Sequence, residues 1–201
     1  MKIALFGGAG TLGSRIAAEA RSRGHSVTSL SRSGTPPADA RDAASVAAAV
    51  AGHDAVISAI GPRHGDEPSE LSAAARGLLA GVKQAGVKRL LVVGGAGSLE
   101  VAPGKRLVDA PDFPAGWKGV ALAHADALAV VRANTDVDWT YASPAALIQP
   151  GQRTGKYRTG GDQLLTDEKG QSHISAEDFA VALIDELEKP RFVRKRFTAA
   201  D

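Results

Sequence analysis

The hydrophobic and polar positions of this chain alternate between two patterns. Short apolar runs, rich in Val, Ile, Leu and aromatic residues and bounded by Gly, Pro or Ser, are typical of strands. Nearly continuous runs such as LLVV and AVISAI indicate strands that are buried on both faces, as in a parallel sheet. Strands are predicted for KIALF, HSVTSL, DAVISAI, RLLVVG, VDWTYA and RKRFTA, with a further short strand near Ala38–Arg41.

Longer stretches between these runs carry the periodicity of helices. The first three end beside a glycine, and the last opens with SAED, a capping box. Alternation of strands and helices predicts an α/β domain with a doubly wound, mostly parallel sheet and helices on both faces, spanning residues 1–201. The predicted helices are Thr11–Arg23, Asp42–Ala51, Ser69–Ala85, Val120–Asn134 and Ser175–Glu188.

Two regions break the alternation. Residues 98–118 are predicted to form a long loop, and residues 149–173 an excursion or a β-hairpin. Both follow the carboxyl ends of strands, which is the edge of an open α/β sheet where ligands bind, so both are predicted to be substrate-side loops. The basic run RFVRKRF near the end of the chain is interpreted as a solvated edge strand.

The first strand leads directly into GGAGTLG at residues 7–13, and a helix follows. Gly7, Gly10 and Gly13 have the spacing of a loop that turns sharply and lets its backbone touch a pyrophosphate. Thr11 and Leu12 begin the helix, whose N-terminus offers free N–H groups to phosphate. This segment is therefore predicted to bind a dinucleotide in a Rossmann-like domain.

The second strand ends at Ser31, Arg32 and Ser33, without an acidic residue. A carboxylate there would bind the 2′-hydroxyl of NAD, whereas a guanidinium pairs with the 2′-phosphate of NADP. Arg32 therefore favours NADP(H) over NAD(H).

With these residues the chain resembles an atypical short-chain dehydrogenase/reductase. It is most similar to the NAD(P)H-flavin reductase group related to biliverdin-IX-beta reductase and the NmrA-like proteins. The resemblance covers nearly the whole chain and implies cofactor contacts beyond the glycine loop, at the adenine, the ribose and phosphate, and the nicotinamide. The segments that carry the resemblance are GGAGTLG, SR at 31–32, DARDAASVAAAVAGHDAVISAIG, RLLVVGGAGSL, DWTYASPA and ISAEDFAVALIDELE. The implied contacts are Asp39 and Ala40 at the adenine, Ala59, Ile60 and Gly61 at the ribose and phosphate, and Ser143, Pro144 and Ala145 near the nicotinamide.

One departure from the family pattern bears on the chemistry. Short-chain dehydrogenases carry Tyr-x-x-x-Lys on the helix before the sixth strand, and here Val120 and His124 fall at or near those positions. The acceptor is therefore expected to need little protein acid, as flavins and quinones do, with the proton coming from water or from His124. Ser98 is a second catalytic candidate, as a hydrogen-bond partner of the substrate.

A second GGAG follows the fourth predicted strand, but Glu100 stands where the third glycine stood and no helix is predicted to begin there. Its glycines, Gly95 among them, are predicted to make room for the flat nicotinamide ring. Phe113, Trp117 and Tyr157 are interpreted either as stacking on a planar acceptor or as anchoring the two long loops.

The resulting hypothesis is an NADPH-dependent oxidoreductase that acts on a small planar acceptor. The alternative is a catalytically inactive NADP(H) sensor of the NmrA-like type. A sugar-nucleotide epimerase is disfavoured because the chain is short for it and the Tyr–Lys pair is missing.

Composition limits the chemistry, the location and the partners that can be expected for this protein. The chain has 201 residues, no cysteine, a net charge of +2 and only 4% aromatic residues. Thiolate chemistry is excluded, a cytoplasmic location is expected, and neither nucleic acid nor a membrane is an expected partner. The five histidines show no ligand spacing, so no metal is expected. The oligomeric state stays open between monomer and homodimer.

Overall fold

The structure is a computed structural model that describes residues 1–61, 67 and 69–201. Strands and helices alternate along most of the chain as predicted, the exceptions being short strands in the two regions 98–118 and 147–175, and a 3₁₀ turn covers Leu107–Asp109. The strands are β1 Lys2–Phe6, β2 Ser26–Leu30, β3 Ala55–Ser58, β4 Arg89–Val93, β5 Glu100–Ala102, β6 Lys105–Arg106, β7 Asp138–Pro144, β8 Leu147–Gln149, β9 Arg158–Gly160, β10 His173–Ser175 and β11 Lys195–Ala200; the helices are α1 Thr11–Ser22, α2 Ala43–Val50, α3 Ser69–Gln84, α4 Ala115–Arg132 and α5 Ala176–Glu188.

The central sheet has seven strands in the order β2-β1-β3-β4-β7-β11-β9, and only β9 runs antiparallel to its neighbour. The predicted doubly wound, mostly parallel fold is thereby confirmed. Strand β1 lies between β2 and β3, so the chain reverses its direction of travel across the sheet at this point. In such sheets the crevice outside the carboxyl ends of the two diverging strands is the ligand-binding position.

Both faces of the sheet are covered by helices, which explains the nearly continuous apolar runs of the strands. Ile3, Leu5 and Ile57 pack on the side of α1 and α5. Residues next to them in sequence, such as Ala4 and Val56, pack on the side of α2, α3 and α4, as the two-residue period of a strand requires.

The predicted strand near Ala38–Arg41 is wrong, since these residues form an irregular segment and a turn. Local hydrogen bonds account for the difference. The Asp39 side chain accepts from the backbone N–H of Arg41, and the N–H of Asp42 donates to the carbonyl of Asp39. A carboxylate that bonds its own backbone two residues on stabilises a turn in place of a sheet ladder.

The interpretation of RFVRKRF as a solvated edge strand is also wrong. Strand β11 lies between β7 and β9, and Arg196, Phe197 and Thr198 are all buried. Strand β9, which belongs to the 149–173 excursion, occupies the edge. This excursion is not a hairpin, because β9 pairs with β11 while β10 pairs in parallel with β8.

Residues 98–118 are more ordered than the predicted loop. They contain the β5–β6 pair, the 3₁₀ turn and the first turn of α4, which begins five residues before the predicted Val120. Pro114 occupies the N-cap position of α4, and Gly116 and Gly119 weaken the helical pattern of its first turns. None of the helices that the structure describes combines the length and the apolar character needed to cross a membrane.

Candidate functional site

The first glycine loop lies in the crevice between β1 and β3, and close packing explains its glycines. Gly7 has a φ of +79°, and a Cβ there would lie 2.6 Å from the carbonyl oxygen of Ala59 at the end of β3. A Cβ on Gly13, in the first turn of α1, would collide with the carbonyl oxygen of Gly7. Loop, helix and strand end therefore approach so closely that neither position has room for a side chain.

The N-terminus of α1 is open. Gly10 is its N-cap and no side chain among the described residues caps it, whereas Ser175 caps α5. The N–H of Gly10 donates to the carbonyl of Gly7 at 3.0 Å, and the first intrahelical bond comes from Ser14. The N–H groups of Thr11, Leu12 and Gly13 therefore have no partner within the helix. This is the arrangement that binds a phosphate group.

The tip of β2 presents Arg32 to solvent. Asp39 lies near it, is paired with Arg41 at 2.6 Å, and accepts a second bond from the same guanidinium. Hydrogen bonds from Arg41, with the charge of Arg32 contributing, lower the pKa of Asp39 to about 2. Because Arg41 neutralises that carboxylate, a 2′-phosphate beside Arg32 would not face an unpaired negative charge.

The remaining residues expected at the adenosine side differ in their burial. Ala40 is buried, and its carbonyl packs against Gly77 of α3. Ala59 and Ile60 are half-buried and Gly61 is exposed at the end of β3. His64, one of the five histidines considered for metal binding, lies outside the described residues. Among the residues that are described, no group of three or more His, Asp or Glu side chains is placed to hold a metal ion.

The second GGAG runs from the end of β4 across the side of the sheet that α4 covers. A Cβ on Gly94 would collide with the ring of Tyr141, and one on Gly97 would lie 2.5 Å from the Cβ of Ala121. Packing within the protein therefore accounts for these two glycines without a ligand. Gly95 faces the ring of His124, which lies 3.2 Å from the position of its Cβ. Its place beside the nicotinamide stays a prediction.

His124 lies half-buried on α4, one helical turn after Val120. The Tyr141 hydroxyl donates to its carbonyl at 2.8 Å and thereby fixes this turn of the helix to β7. Burial lowers the pKa of the His124 imidazole to about 4. At neutral pH His124 is therefore an uncharged imidazole, which can donate or accept a hydrogen bond but holds little transferable positive charge.

The other candidates on the predicted nicotinamide and acceptor side are Ser98 and the end of β7. Ser143, Pro144 and Ala145 are buried, and Ser143 Oγ has no hydrogen-bond partner among the described residues. Ser98 Oγ accepts a hydrogen bond of 2.8 Å from Arg196 of β11. The sequence prediction missed Arg196 because it lies inside a basic run that is typical of a solvated strand; only its alternation with Phe197 and Thr198 could have marked it as inward-facing.

The three candidate aromatic residues have different surroundings. Trp117 is 67% exposed in the first turn of α4, and Phe113 is half-buried just before it. Tyr157 donates to Asp185 of α5 and packs against the α1–α5 side of the core. The segment before Tyr157 is fixed to α1 by a bidentate pair between Arg153 and Glu19 at 2.7 and 2.8 Å. Tyr157 therefore anchors its loop, and Trp117 is the aromatic residue left accessible.

Comparison with known proteins gives the family. A family model for NAD(P)H-binding domains matches residues 7–190, from the first glycine of the loop to Pro190. The chain belongs to this NAD(P)H-binding family. It is also 39% identical over 209 residues to the uncharacterised protein YwnB of Bacillus subtilis (strain 168), and the match covers 98% of this chain and 97% of that protein.

Solved structures agree with the family and with the fold. A presumed exported protein from Burkholderia pseudomallei is 56% identical with a TM-score of 0.94, and the match covers 100% of both chains. A presumed NADH-flavin reductase from Streptococcus pneumoniae TIGR4 is 36% identical with a TM-score of 0.89, covering 100% of this chain and 99% of that one. The predicted resemblance to an NAD(P)H-binding group with a flavin-reductase-like member is confirmed, and with it a nicotinamide cofactor. Two structures described as an NAD-dependent epimerase/dehydratase and a short-chain dehydrogenase/reductase, at 17% and 13% identity, share the fold.

Proposed function

We propose that this protein is an NADPH-dependent oxidoreductase that transfers hydride to a small planar acceptor such as a flavin or a quinone. The observation that carries the proposal is the crevice between β1 and β3, where Gly7 and Gly13 leave no room for side chains and α1 presents an uncapped N-terminus. The similarity to a presumed NADH-flavin reductase supports a flavin as the acceptor.

The chain's own residues bind and orient the two ligands. The N–H groups of Thr11, Leu12 and Gly13 hold the pyrophosphate, and Arg32 selects the 2′-phosphate. Bound NADPH supplies the hydride. One proton from water balances the reduction of the acceptor, and His124 and Ser98 contribute hydrogen bonds beside the reacting rings. Helix α4 carries Val120 and His124 at or near the positions where other enzymes of this kind have the proton-donating Tyr and its Lys. The acceptor therefore has to be one that needs little protein acid, such as a flavin or quinone, and the site mainly aligns its ring with the nicotinamide.

The replacement of Tyr and Lys on α4 also favours a second candidate, a sensor that binds NADP(H) and regulates a partner without turnover. An uncharged His124 and the absence of the Tyr–Lys pair are what such a protein would have. The cysteine-free composition supports a cytoplasmic location for either candidate, which cell fractionation tests.

One experiment separates the two candidates. Purified protein is mixed with NADPH or NADH and a panel of FMN, quinones and dyes, and the nicotinamide absorbance band is followed. The reductase predicts saturable oxidation of NADPH with at least one planar acceptor. Tight NADPH binding without oxidation above background would contradict the reductase and support the sensor.

A further inference from the structure

Arg196 is an ionised side chain in the interior of the predicted substrate side. It belongs to β11, and its side chain is only 2% exposed. Burying a guanidinium is costly unless its donors are paired, so its partners indicate why it is there.

The guanidinium joins two loops. Its Nε donates to Asp162 Oδ1 at 2.8 Å and its Nη2 to the Asp162 carbonyl at 3.2 Å. Its Nη1 donates to Ser98 Oγ at 2.8 Å. Asp162 lies two residues beyond β9 and its side chain is half-exposed, so it compensates the charge from the solvent side. Ser98 is the partner on the side of the second GGAG.

In the Arg196–Ser98 hydrogen bond the arginine is the donor, so the hydroxyl hydrogen of Ser98 is not used. A guanidinium only donates, so Ser98 Oγ is the acceptor and its own O–H remains available. Within the described part of the chain no group accepts that O–H, and Ser98 is half-buried, not sealed in the core. A donor into Oγ also polarises the O–H, which makes it a better hydrogen-bond donor.

The placement of Ser98 follows from the strand register. Ser143 pairs with Thr198, and Tyr141 with Arg196, so these four side chains share the face of β7 and β11 that the second GGAG crosses. Ser143 Oγ and Thr198 Oγ1 are fully buried and lack partners among the described residues. Through its bond to Arg196, Ser98 is fixed against this face of the sheet, two strand positions before Thr198 and Ser143. Ser143, Pro144 and Ala145 are the residues that the family resemblance places near the nicotinamide.

We propose that Arg196 is a positioning residue that fixes Ser98 so that its O–H donates a hydrogen bond to the acceptor during hydride transfer. This inference rests on the proposed reductase function. Arg196 acts through Ser98 without touching the acceptor, and the pair takes over in part the task that Tyr and Lys perform in other short-chain dehydrogenases.

The test is a double-mutant cycle on steady-state NADPH oxidation, with NADPH affinity and thermal unfolding measured on the same samples. Ser98→Ala and Arg196→Met are each expected to lower kcat on the order of 10- to 100-fold while the KM for NADPH stays within about twofold. The double variant is expected to lose no more than Ser98→Ala alone, because both changes remove one hydrogen bond. Ser98→Thr, which keeps the hydroxyl, is expected to retain most of the rate.

Arg132→Met is the matched control, because Arg132 also pairs with Asp162 but does not contact Ser98; its kcat is expected to be unchanged. If Arg196→Met does not fold, Arg196→Lys replaces it, since one ammonium cannot bridge Asp162 and Ser98 as the fork does. Equal rates for Ser98→Ala and wild type, or additive losses in the double variant, would overturn the proposal and leave the reductase intact. A wild-type protein that binds NADPH but does not oxidise it with any acceptor of the panel would overturn both.

Discussion

At the scale of single residues, the glycines of the first loop carry the cofactor assignment. Gly13→Ala is expected to abolish measurable NADPH binding, because its Cβ would collide with the Gly7 carbonyl and push α1 away from the phosphates. Calorimetric titration with NADPH measures this. Gly119→Ala is the control: it is also helical, nothing lies within 4 Å of its added Cβ, and it is expected to stabilise α4 by about 1 kcal/mol without changing affinity. Tight NADPH binding by Gly13→Ala would show that the cofactor lies elsewhere.

Arg32 carries the preference for NADPH. Arg32→Ala is expected to weaken NADPH binding about tenfold or more and NADH binding far less, because only the 2′-phosphate loses a charged partner. The measurement is a pair of dissociation constants for the two cofactors. Arg21→Ala, an exposed arginine at the far end of α1, is the control and is expected to change neither. Equal losses for the two cofactors in Arg32→Ala would refute the assignment.

At the scale of elements, the segment 150–157 is a strap across α1 and α5. Arg153 bonds Glu19 of α1, and the N–H groups of Thr154 and Gly155 donate to Asp178 of α5 at 2.8 and 2.7 Å. Glu19→Gln is expected to lower the free energy of unfolding by about 1–2 kcal/mol and to speed tryptic cleavage within the strap, since its two arginine partners lose a charged acceptor. Glu168→Gln, an exposed acid of the same excursion, is the control.

The Glu19 contacts also predict a pH dependence. Hydrogen bonds from Arg153 and Arg23 lower the pKa of Glu19 below its ordinary 4.5. A carboxyl whose pKa is lower in the folded state stabilises the fold above its ordinary pKa, and that contribution is lost as the pH falls further. Wild type should therefore lose its stability advantage over Glu19→Gln below about pH 4.5 in urea unfolding. A difference that does not change between pH 7 and pH 3 would contradict this account.

Elements with strong local signals were predictable from sequence, and those set by distant partners were not. Strand β1, its glycine loop and α1 follow from a short apolar run, three glycines and a helical period, and the structure has them as predicted. Strand β11 looked solvent-exposed because its burial depends on β9, which comes from an excursion with no strand-like pattern. The turn at Asp39 was mistaken for a strand because its neighbours are apolar, whereas hydrogen bonds of the Asp39 side chain determine the conformation.

The candidate site shows the same division. The phosphate loop and the tip of β2 could be predicted from short runs of sequence, since the pyrophosphate and the 2′-phosphate are each expected to contact one short segment. The Arg196–Ser98 contact joins residues that are 98 positions apart, and it arises only when β7 and β11 pair. No local sequence pattern predicts this contact.

At the scale of the whole molecule, a buried carboxylate holds the end of the sheet opposite the cofactor crevice. Glu186 of α5 is 1% exposed and accepts from Arg89 at the start of β4, Thr140 of β7 and the N–H of Phe192. Glu186→Gln is expected to cost about 3 kcal/mol or more, because the Arg89 charge would stay buried without an anion. Urea unfolding beside Glu168→Gln, an exposed acid, measures this. A loss below about 1 kcal/mol would show that the pair contributes little.

The proposed function depends on NADPH binding with its pyrophosphate in the crevice that the first glycine loop builds, so that its nicotinamide can transfer hydride to the acceptor. The most direct measurement is the rate of NADPH oxidation with FMN or a quinone at saturating cofactor, for wild type beside Gly13→Ala and Gly119→Ala. Wild type and Gly119→Ala are expected to show saturable oxidation, and Gly13→Ala only the background rate. Oxidation that survives in Gly13→Ala, or a wild type that binds NADPH tightly and never oxidises it, would contradict the proposed function.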